Sequence, residues 1–390
     1  MNPARAVGRA VTEMCPAGLA TELVESYCAE LGQAVQSHCG CDPQRRTGFR
    51  RQFFLGNGGC WSVGFTVADS LRGKGSPMDV ARHWHPHEIA GAVTTEGFAA
   101  SFARLLSRDG VGHGDLIHLI SGSGRSVNLV TAAKTAHASG AAVLAHCGHD
   151  GGRLRAIVPE GVQIECFDQQ VVEDALMLRL WPAWAQDDAA LATITAAIER
   201  ALLVEAGNLA WTVAVVVQAI EGQNPLGVVA FDVAVVSAAA EHVAHNLSWD
   251  MCWDEPALRP DVRFALSNGL LTAVANDSGW DAAPFEHMLE KARSHGVVLR
   301  LGRRGHSPRP LTSEIGIAAE TFDLLRVTSR SLGLRPEDDD YLCSVFVQSW
   351  GHLLIRLGRG IVKGHRSSAD AADHLQRARQ PIAPRLARRE

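Results

Sequence analysis

The sequence has no uninterrupted apolar run of about 18 residues, the length that would mark a membrane-spanning helix. No segment is therefore expected to cross a bilayer. The opening stretch, MNPARAVGRAVTEMCPAG, lacks a continuous apolar core, so no signal peptide is expected and the chain reads as cytosolic. No excess of one charge is present either. A formal net charge of −5 gives no global field toward nucleic acid or an anionic membrane. HCGC, with His38, Cys39 and Cys41, has no second CxxC to complete a tetrahedral zinc site, and it reads as a surface turn. The nine cysteines of a cytosolic chain read as thiols, not as a disulfide framework.

What is present is enough for two ordinary domains. The chain has 390 residues, 46% of them hydrophobic. Helical periodicity runs from Ala17 to Ser37 (Leu19, Leu23, Tyr27, Leu31, Val35). FRRQFFLGNGG reads as a strand entering a glycine loop, followed by a helix from Ser62 to Leu71, a broken segment and a helix near Phe98 to Leu106. DLIHLI is a short buried strand, Ser121 to Ser126 its exit loop, Val127 to Ser139 a helix, AAVLAHCG a strand and Glu165 to Trp184 a closing helix. Strand, loop and helix in alternation predict a parallel sheet with helices on both faces.

The second half repeats that order. Asp188 to Ile220 is helical, GVVAF a strand, Ser237 to Leu247 a helix, Phe285 to Ser294 a helix, VVLRLGRRGHS a strand and loop, and Tyr341 to Leu357 the closing helix. Leu71 and Leu247 lie 176 residues apart, Ser126 and Ser307 181, Trp181 and His352 171. A near-constant offset through several matched elements is what duplication predicts. The expected domains are 1–186 and 187–362, with Pro182 and QDD at the break and 363–390 as a disordered basic tail.

The loop SGSGRS sits between a strand and a helix, where backbone N–H groups and the helix dipole favour an anion. The hydroxyls of Ser121, Ser123 and Ser126 can donate, and Gly122 and Gly124 allow close backbone approach. The loop has neither the GK[ST] of a P-loop nor a good dinucleotide fingerprint. A phosphate is the expected guest.

ISGSGRSVNLVTAAKTAHASGAAVLAHCGHDGGRL resembles the core of a sugar isomerase (SIS) domain, and within that family the phosphoheptose isomerases. FFLGNGG (Phe53 to Gly59), GHDGGRL (Gly148 to Leu154), AEHVAHNL (Ala240 to Leu247) and LTAVANDSGW (Leu271 to Trp280) are similar to four further segments of that subfamily. The resemblance covers roughly residues 15–360 in patches joined by the repeat. It implies two tandem three-layer α/β/α domains with parallel, flavodoxin-like sheets in a pseudo-dimeric arrangement. It also implies aldose–ketose isomerisation of a seven- or eight-carbon sugar phosphate through an enediol. The family's chemistry requires no other cofactor, though a divalent metal such as zinc accompanies it in some members. The partners implied are a phosphorylated sugar and a second copy of the chain, in a homodimer of tandem chains, with no membrane and no nucleic acid.

Carried over residue by residue, the resemblance divides the labour. The first half keeps the phosphate site: Asn57, Gly58, Ser121, Ser123, Gly124 and Ser126. Its catalytic His/Glu pair has become Thr66 and Ser70, its Asn-Asp pair Thr95 and Glu96, its last-helix Gln Glu173 and its last-helix His Trp181. The second half keeps His242, Asn276, Asp277 and His352, with Gln348 one turn before His352 and Asn246 in place of the Glu. One composite site per pair of halves is the expectation, with His242 or Glu173 as the base, since Asn246 cannot take a proton. Two places carry two readings each. His83, His85 and His87 in HWHPHE would face one way on an extended metal-binding segment, or belong to a plain loop. Arg303 and Arg304 are phosphate ligands or solvated charges. Cys60 and Trp61 replace smaller groups beside the glycine loop and reshape the sugar pocket.

Overall fold

The computed structural model describes residues 17–39, 48–73, 79–81, 83–181, 187–230, 234–252, 258–264, 297–302, 314–365 and 376–380. In chain order the elements are α1 (Ala17–Gln36), β1 (His38–Cys39), β2 (Arg51–Gly56), α2 (Gly59–Gly73), β3 (Asp79–Val80), α3 (Pro86–Glu96), α4 (Ser101–Arg108) and β4 (Asp115–Ser121). They continue with α5 (Val127–Ala138), β5 (Ala142–Gly148), α6 (Gly152–Ile157), β6 (Gln163–Ile164), α7 (Gln169–Leu180), α8 (Asp188–Val204), α9 (Ala206–Glu221) and β7 (Leu226–Ala230). The last are α10 (Ala234–Trp249), β8 (Val262–Phe264), β9 (Val297–Leu301), β10 (Glu314–Gly316), α11 (Ala319–Ser331) and α12 (Pro336–His365). Among the described residues no single helix is long and apolar enough to cross a membrane.

The described residues cluster into two compact units. One, here the serine-loop unit, draws on the described residues of Ala29–Thr195 and Pro336–Tyr341; the other, the histidine unit, on those of 17–28, Ala196–Arg335 and Leu342–Gln380.

In the serine-loop unit the strand order is β1-β6-β5-β4-β2-β3, parallel throughout except for β1 against β6. Every residue of β4 is buried, which suits a strand covered on both faces. Ile117 and Leu119 join Phe53, Leu55, Val143 and Ala145 in a core closed by Leu105 and Leu106 of α4 and by Leu129, Ala132 and Ala136 of α5. Each fully buried leucine stabilises by about 2 kcal/mol, which is what holds so short a helix as α4 in place. On the opposite face Gly64 of α2 lies over Ile120 and Phe54. His118 stacks on Phe54 at 4.2 Å and hydrogen-bonds His146 through Nδ1 and Nε2 at 3.0 Å, so two imidazoles lie inside the sheet layer. The carboxylate of Asp115, which opens β4, is buried and accepts from Arg50 and Arg51.

One segment departs from the sequence reading. HWHPHE opens a helix, α3, inside the stretch read as broken. Pro86 stands at the first helical position, where its missing N–H costs nothing, and His85 and Glu88 form a reciprocal capping box. His85 and His87 therefore do not lie on an extended run; the Nδ1 of His85 accepts from the backbone N–H of His87. His38 and Cys39, read as part of a turn, form the edge strand β1.

In the histidine unit the described sheet has order β10-β9-β7-β8, all parallel. Relabelled along the chain this is the winding of β5-β4-β2-β3, so both units carry the flavodoxin-like order in which the chain starts inside the sheet and then reverses. The helices expected at Ala17, Val127, Asp188 and Ser237 are present, the third split into α8 and α9. The helix expected from Phe285 to Ser294 lies outside the described residues.

Candidate functional site

In the serine-loop unit β2 and β4 are neighbours, but the chain leaves them in opposite directions: β2 leads to β3 and β4 to β5. At such a reversal the two exit loops part and leave a crevice beyond the carboxyl ends of the strands. The loops meeting there are Asn57–Gly58 after β2 and Ser121 to Ser126 after β4. They are tied by a reciprocal amide pair, Asn57 Nδ2 to Asn128 Oδ1 at 3.0 Å and Asn128 Nδ2 to Asn57 Oδ1 at 2.9 Å.

The serine loop is held in shape from within and from below. Ser121 Oγ lies 3.3 Å from Ser126 Oγ and accepts the Gly124 N–H at 3.1 Å. Gly124 has φ +62°, and a Cβ there would strike the Gly151 carbonyl. The turn after β5 clasps the loop: Leu154 N–H donates to Gly124 O at 2.8 Å and Gly148 N–H to Gly122 O at 3.0 Å. Arg125 donates to Ser123 O and pairs with Asp150 at 2.6 Å, which holds the Asp150 carboxyl below its usual value. Ser126 sits at the N-cap of α5 without a side-chain cap bond, so its hydroxyl is directed to Ser121 instead. Ser123 and Ser126 are partly exposed and Ser121 is buried.

Beside this loop lies a buried polar cluster that the sequence showed only in part. Cys60, in the first turn of α2, accepts the Gly122 N–H on its sulfur at 3.2 Å. Its thiol points to Glu173 Oε1 at 4.0 Å, and Gln169, one turn earlier on α7, donates to the same oxygen at 2.7 Å. Burial pushes the Cys60 thiol well above its ordinary range, with the Glu173 charge adding to it, so Cys60 stays S–H and donates. Both donors reach Oε1, and the carboxylate as a whole lies over Gly59, where any Cβ would collide with it. Gly59 is required here for room, not for a special φ. The other Gln169 terminus crowds Gly122 in the same manner. Asp168 fixes the start of α7 by accepting from the N–H groups of Gln170 and Val171, which sets the phase that turns Gln169 and Glu173 toward α2.

In the histidine unit α10 and α12 meet closely because Gly351 has no side chain; a Cβ would run into Val243. The close approach brings His242 Nε2 to 3.0 Å from His352 Nε2, with the rings at 88°. Asn246, one turn along α10, places Nδ2 3.0 Å from the same His242 nitrogen. Tyr27 of α1 lies 3.3 Å by its hydroxyl from His352 Nδ1. All four side chains are buried, as is Gln348.

Of the residues expected from sequence, the structure brings Asn57, Gly58, Ser121, Ser123, Gly124, Ser126 and Glu173 together in one unit, and His242, Asn246, Gln348 and His352 in the other. Asn276, Asp277, Arg303, Arg304 and Ser307 lie outside the described residues. Gln169, Asn128 and Tyr27 were not anticipated. Gln169 had a signal in its four-residue spacing from Glu173, which shares a helix face.

No protein-family model matches the chain, and no curated protein matches it. Solved structures do resemble it. A Bacillus subtilis protein provisionally named a phosphosugar isomerase is 14% identical with a TM-score of 0.51, covering 93% of this chain and 98% of its own. The C-terminal domain of glucosamine-fructose-6-phosphate aminotransferase from Francisella tularensis is 11% identical with a TM-score of 0.51, covering 89% and 96%. A phosphoheptose isomerase from Neisseria gonorrhoeae, 19% identical, covers 45% of this chain and 90% of its own at a TM-score of 0.30, too low to bear on the fold. The first two likenesses show a fold held in common along nearly the whole chain, the α/β fold that the sugar-isomerase resemblance implies.

Proposed function

We propose that the protein is an aldose–ketose isomerase of a phosphorylated sugar of seven or eight carbons, acting through an enediol. The observation that carries this reading is the juxtaposition, at the switch point of one sheet, of a built serine loop and a buried carboxylate packed over Gly59. The loop takes the phosphate. Proton transfer between C1 and C2 needs a base within about 3 Å of the carbon-bound proton. Glu173 is suited to this, because its carboxylate is held beside the serine loop by Gln169 and Cys60. His242 and His352, with Gln348 beside them, are the further acid–base groups of the reading, and no cofactor is required.

Incubation with sedoheptulose 7-phosphate in deuterated water is expected to place deuterium at C2 of the aldose product. No exchange with any ketose phosphate would sink the proposal. Exhaustive chelation is expected to leave the exchange unchanged; loss restored by zinc would assign a metal instead. The reading includes a homodimer of tandem chains in the cytoplasm, a state that light scattering on the purified chain measures.

One observation favours a second reading, a non-catalytic phosphosugar-binding protein. Asn246, an amide that takes no proton, is bonded to His242 where the resemblance calls for a carboxylate. That reading expects sugar-phosphate binding that survives His242→Ala and His352→Ala, with no turnover in the unaltered protein.

A further inference from the structure

We propose that the cleft along the carboxyl half of β2, on the edge turned away from β4, binds a small phenol, with its hydroxyl on His83 and its ring among the surrounding aromatic side chains. The proposal goes beyond the isomerase reading and does not rest on it.

The cleft follows from how β3 ends. Among the described residues β3 pairs with β2 only through Arg51 and Gln52, and the Ala81 N–H then donates to Gln52 O. The Arg72 guanidinium takes the carbonyls of Val80 and Ala81, so Ala81 offers no acceptor to the next part of β2. Backbone groups alternate in direction along a strand, so Phe54 and Gly56 face the same edge as Gln52. No described strand lies beside them there, which leaves backbone polar groups open to a guest. The gap is lined by Phe54, Gly56, Trp61, His83, Trp84 and Phe102 among others, and holds about 340 Å³ including its open mouth.

His83 is the polar feature of this cleft. Its Nε2 is enclosed and has no hydrogen-bond partner among the described residues. Burial, with the Arg72 charge adding to it, pushes the imidazole pKa down to about 4, so the ring is neutral near neutral pH. A nitrogen left dry and unpaired is destabilising, and a guest that bonds it removes that penalty. A hydroxyl suits either tautomer, since it donates to a bare nitrogen and accepts from a protonated one.

The walls decide what carries the hydroxyl. Ring centres of Trp61 and His83 lie 6.0 Å apart, those of Phe65 and His83 5.2 Å, and those of Trp84 and Phe102 6.0 Å. Rings so arranged receive a further aromatic ring by offset or edge contact. The Trp84 indole N–H is given to Asp109 at 2.8 Å and does not compete for the guest. None of the lining side chains is an acid, a lysine or an arginine, which disfavours a sugar phosphate here. The enclosed space is little more than a water molecule's, so the hydroxyl enters and the ring lies in the mouth beside half-buried Trp61.

Titrations of p-cresol, toluene and cyclohexanol into the full chain, labelled at histidine and tryptophan ring nitrogens, test this. p-Cresol is expected to shift the His83 ring nitrogens and the Trp61 indole N–H, assigned from His83→Phe and Trp61→Leu. Toluene, which lacks the hydroxyl, should bind about tenfold more weakly, the size of one hydrogen bond to a buried group. Cyclohexanol, which lacks the aromatic ring, should also bind more weakly than p-cresol. In His83→Phe, p-cresol and toluene should bind alike. No shift at His83 up to the solubility limit of p-cresol overturns the inference, as does cyclohexanol binding as tightly as p-cresol. Sedoheptulose 7-phosphate should leave p-cresol in place; displacement would make the cleft part of the sugar site and overturn it too. Should His83→Phe not fold, the comparison of p-cresol with toluene in the unaltered protein decides alone. Absence of isotope exchange would bear on the isomerase reading only.

Discussion

β2 and β4 of the serine-loop unit correspond to β7 and β9 of the histidine unit, and the register makes the comparison concrete. Where Arg51 stands opposite Asp115 in one sheet, Leu226 stands opposite Val297 in the other. An ion pair has been exchanged for an apolar pair at one place in one winding. The same exchange of chemistry at constant backbone recurs at the functional ends. One unit offers hydroxyls, amides and a carboxylate around a loop; the other offers imidazoles and a phenol between helices. The winding constrains where loops emerge and which helices flank them, while side chains at those places are free to diverge, so fold and chemistry must be argued separately.

The comparison can be broken or sharpened by substitution, beginning where the effect should be largest. Glu173→Gln keeps the shape of the cluster but removes the proposed base, so the isotope exchange should fall about a thousandfold while sugar-phosphate binding persists. A variant with unimpaired exchange would move the base to the histidine unit. Gly59→Ala should act in the same direction by displacing the Glu173 carboxylate.

Gly124→Ala attacks the loop instead. An alanine held at φ +62° against the Gly151 carbonyl should cost about 2 kcal/mol or more of stability, read by urea unfolding, and weaken phosphate binding at least tenfold in titration calorimetry. Binding that is unaffected would mean that the anion sits elsewhere.

The paired registers yield a sharper test. Asp115→Asn leaves Arg51 and Arg50 without their carboxylate and should cost about 3 kcal/mol, whereas Arg51→Leu with Asp115→Val, which copies the other sheet, should be close to neutral. Burial alone would raise the Asp115 pKa, but the Arg51 hydrogen bond and the Gly112 N–H hold it below its ordinary value. Its contribution is therefore complete above the unfolded aspartate value, about 3.9, and is lost as the pH falls through the lower folded value. The deficit of Asp115→Asn should shrink over that acid window alone. Asp150→Asn comes last: its pair with Arg125 is largely exposed, so about 0.5 kcal/mol or less is expected, vanishing in high salt.

The serine loop, its strand and its helix were legible because the code there is local. A fully apolar strand, a glycine-serine turn and an alanine-rich helix occupy consecutive residues. α3 was hidden because three histidines around a proline read as an extended or irregular stretch, although Pro-His-Glu after His85 is also a capped helix start. Cys60 was noticed, but its bond to Gly122 was not, since 62 residues separate them. Tyr27 was out of reach altogether. It looked like any apolar residue on a helical stripe, and its partner His352 lies 325 positions away, a distance over which periodicity says nothing.

The amide pair that joins Asn57 to Asn128 has a consequence on a slow clock. Asn57 precedes Gly58, the neighbour that most readily permits ring closure to a succinimide and hydrolysis to aspartate. Holding the carboxamide by both of its ends against Asn128 opposes the rotation that this closure needs. Once formed, an aspartate there would set oxygen against the Asn128 carbonyl and open the seam between the two loops, so loss of that seam would mark an aged chain.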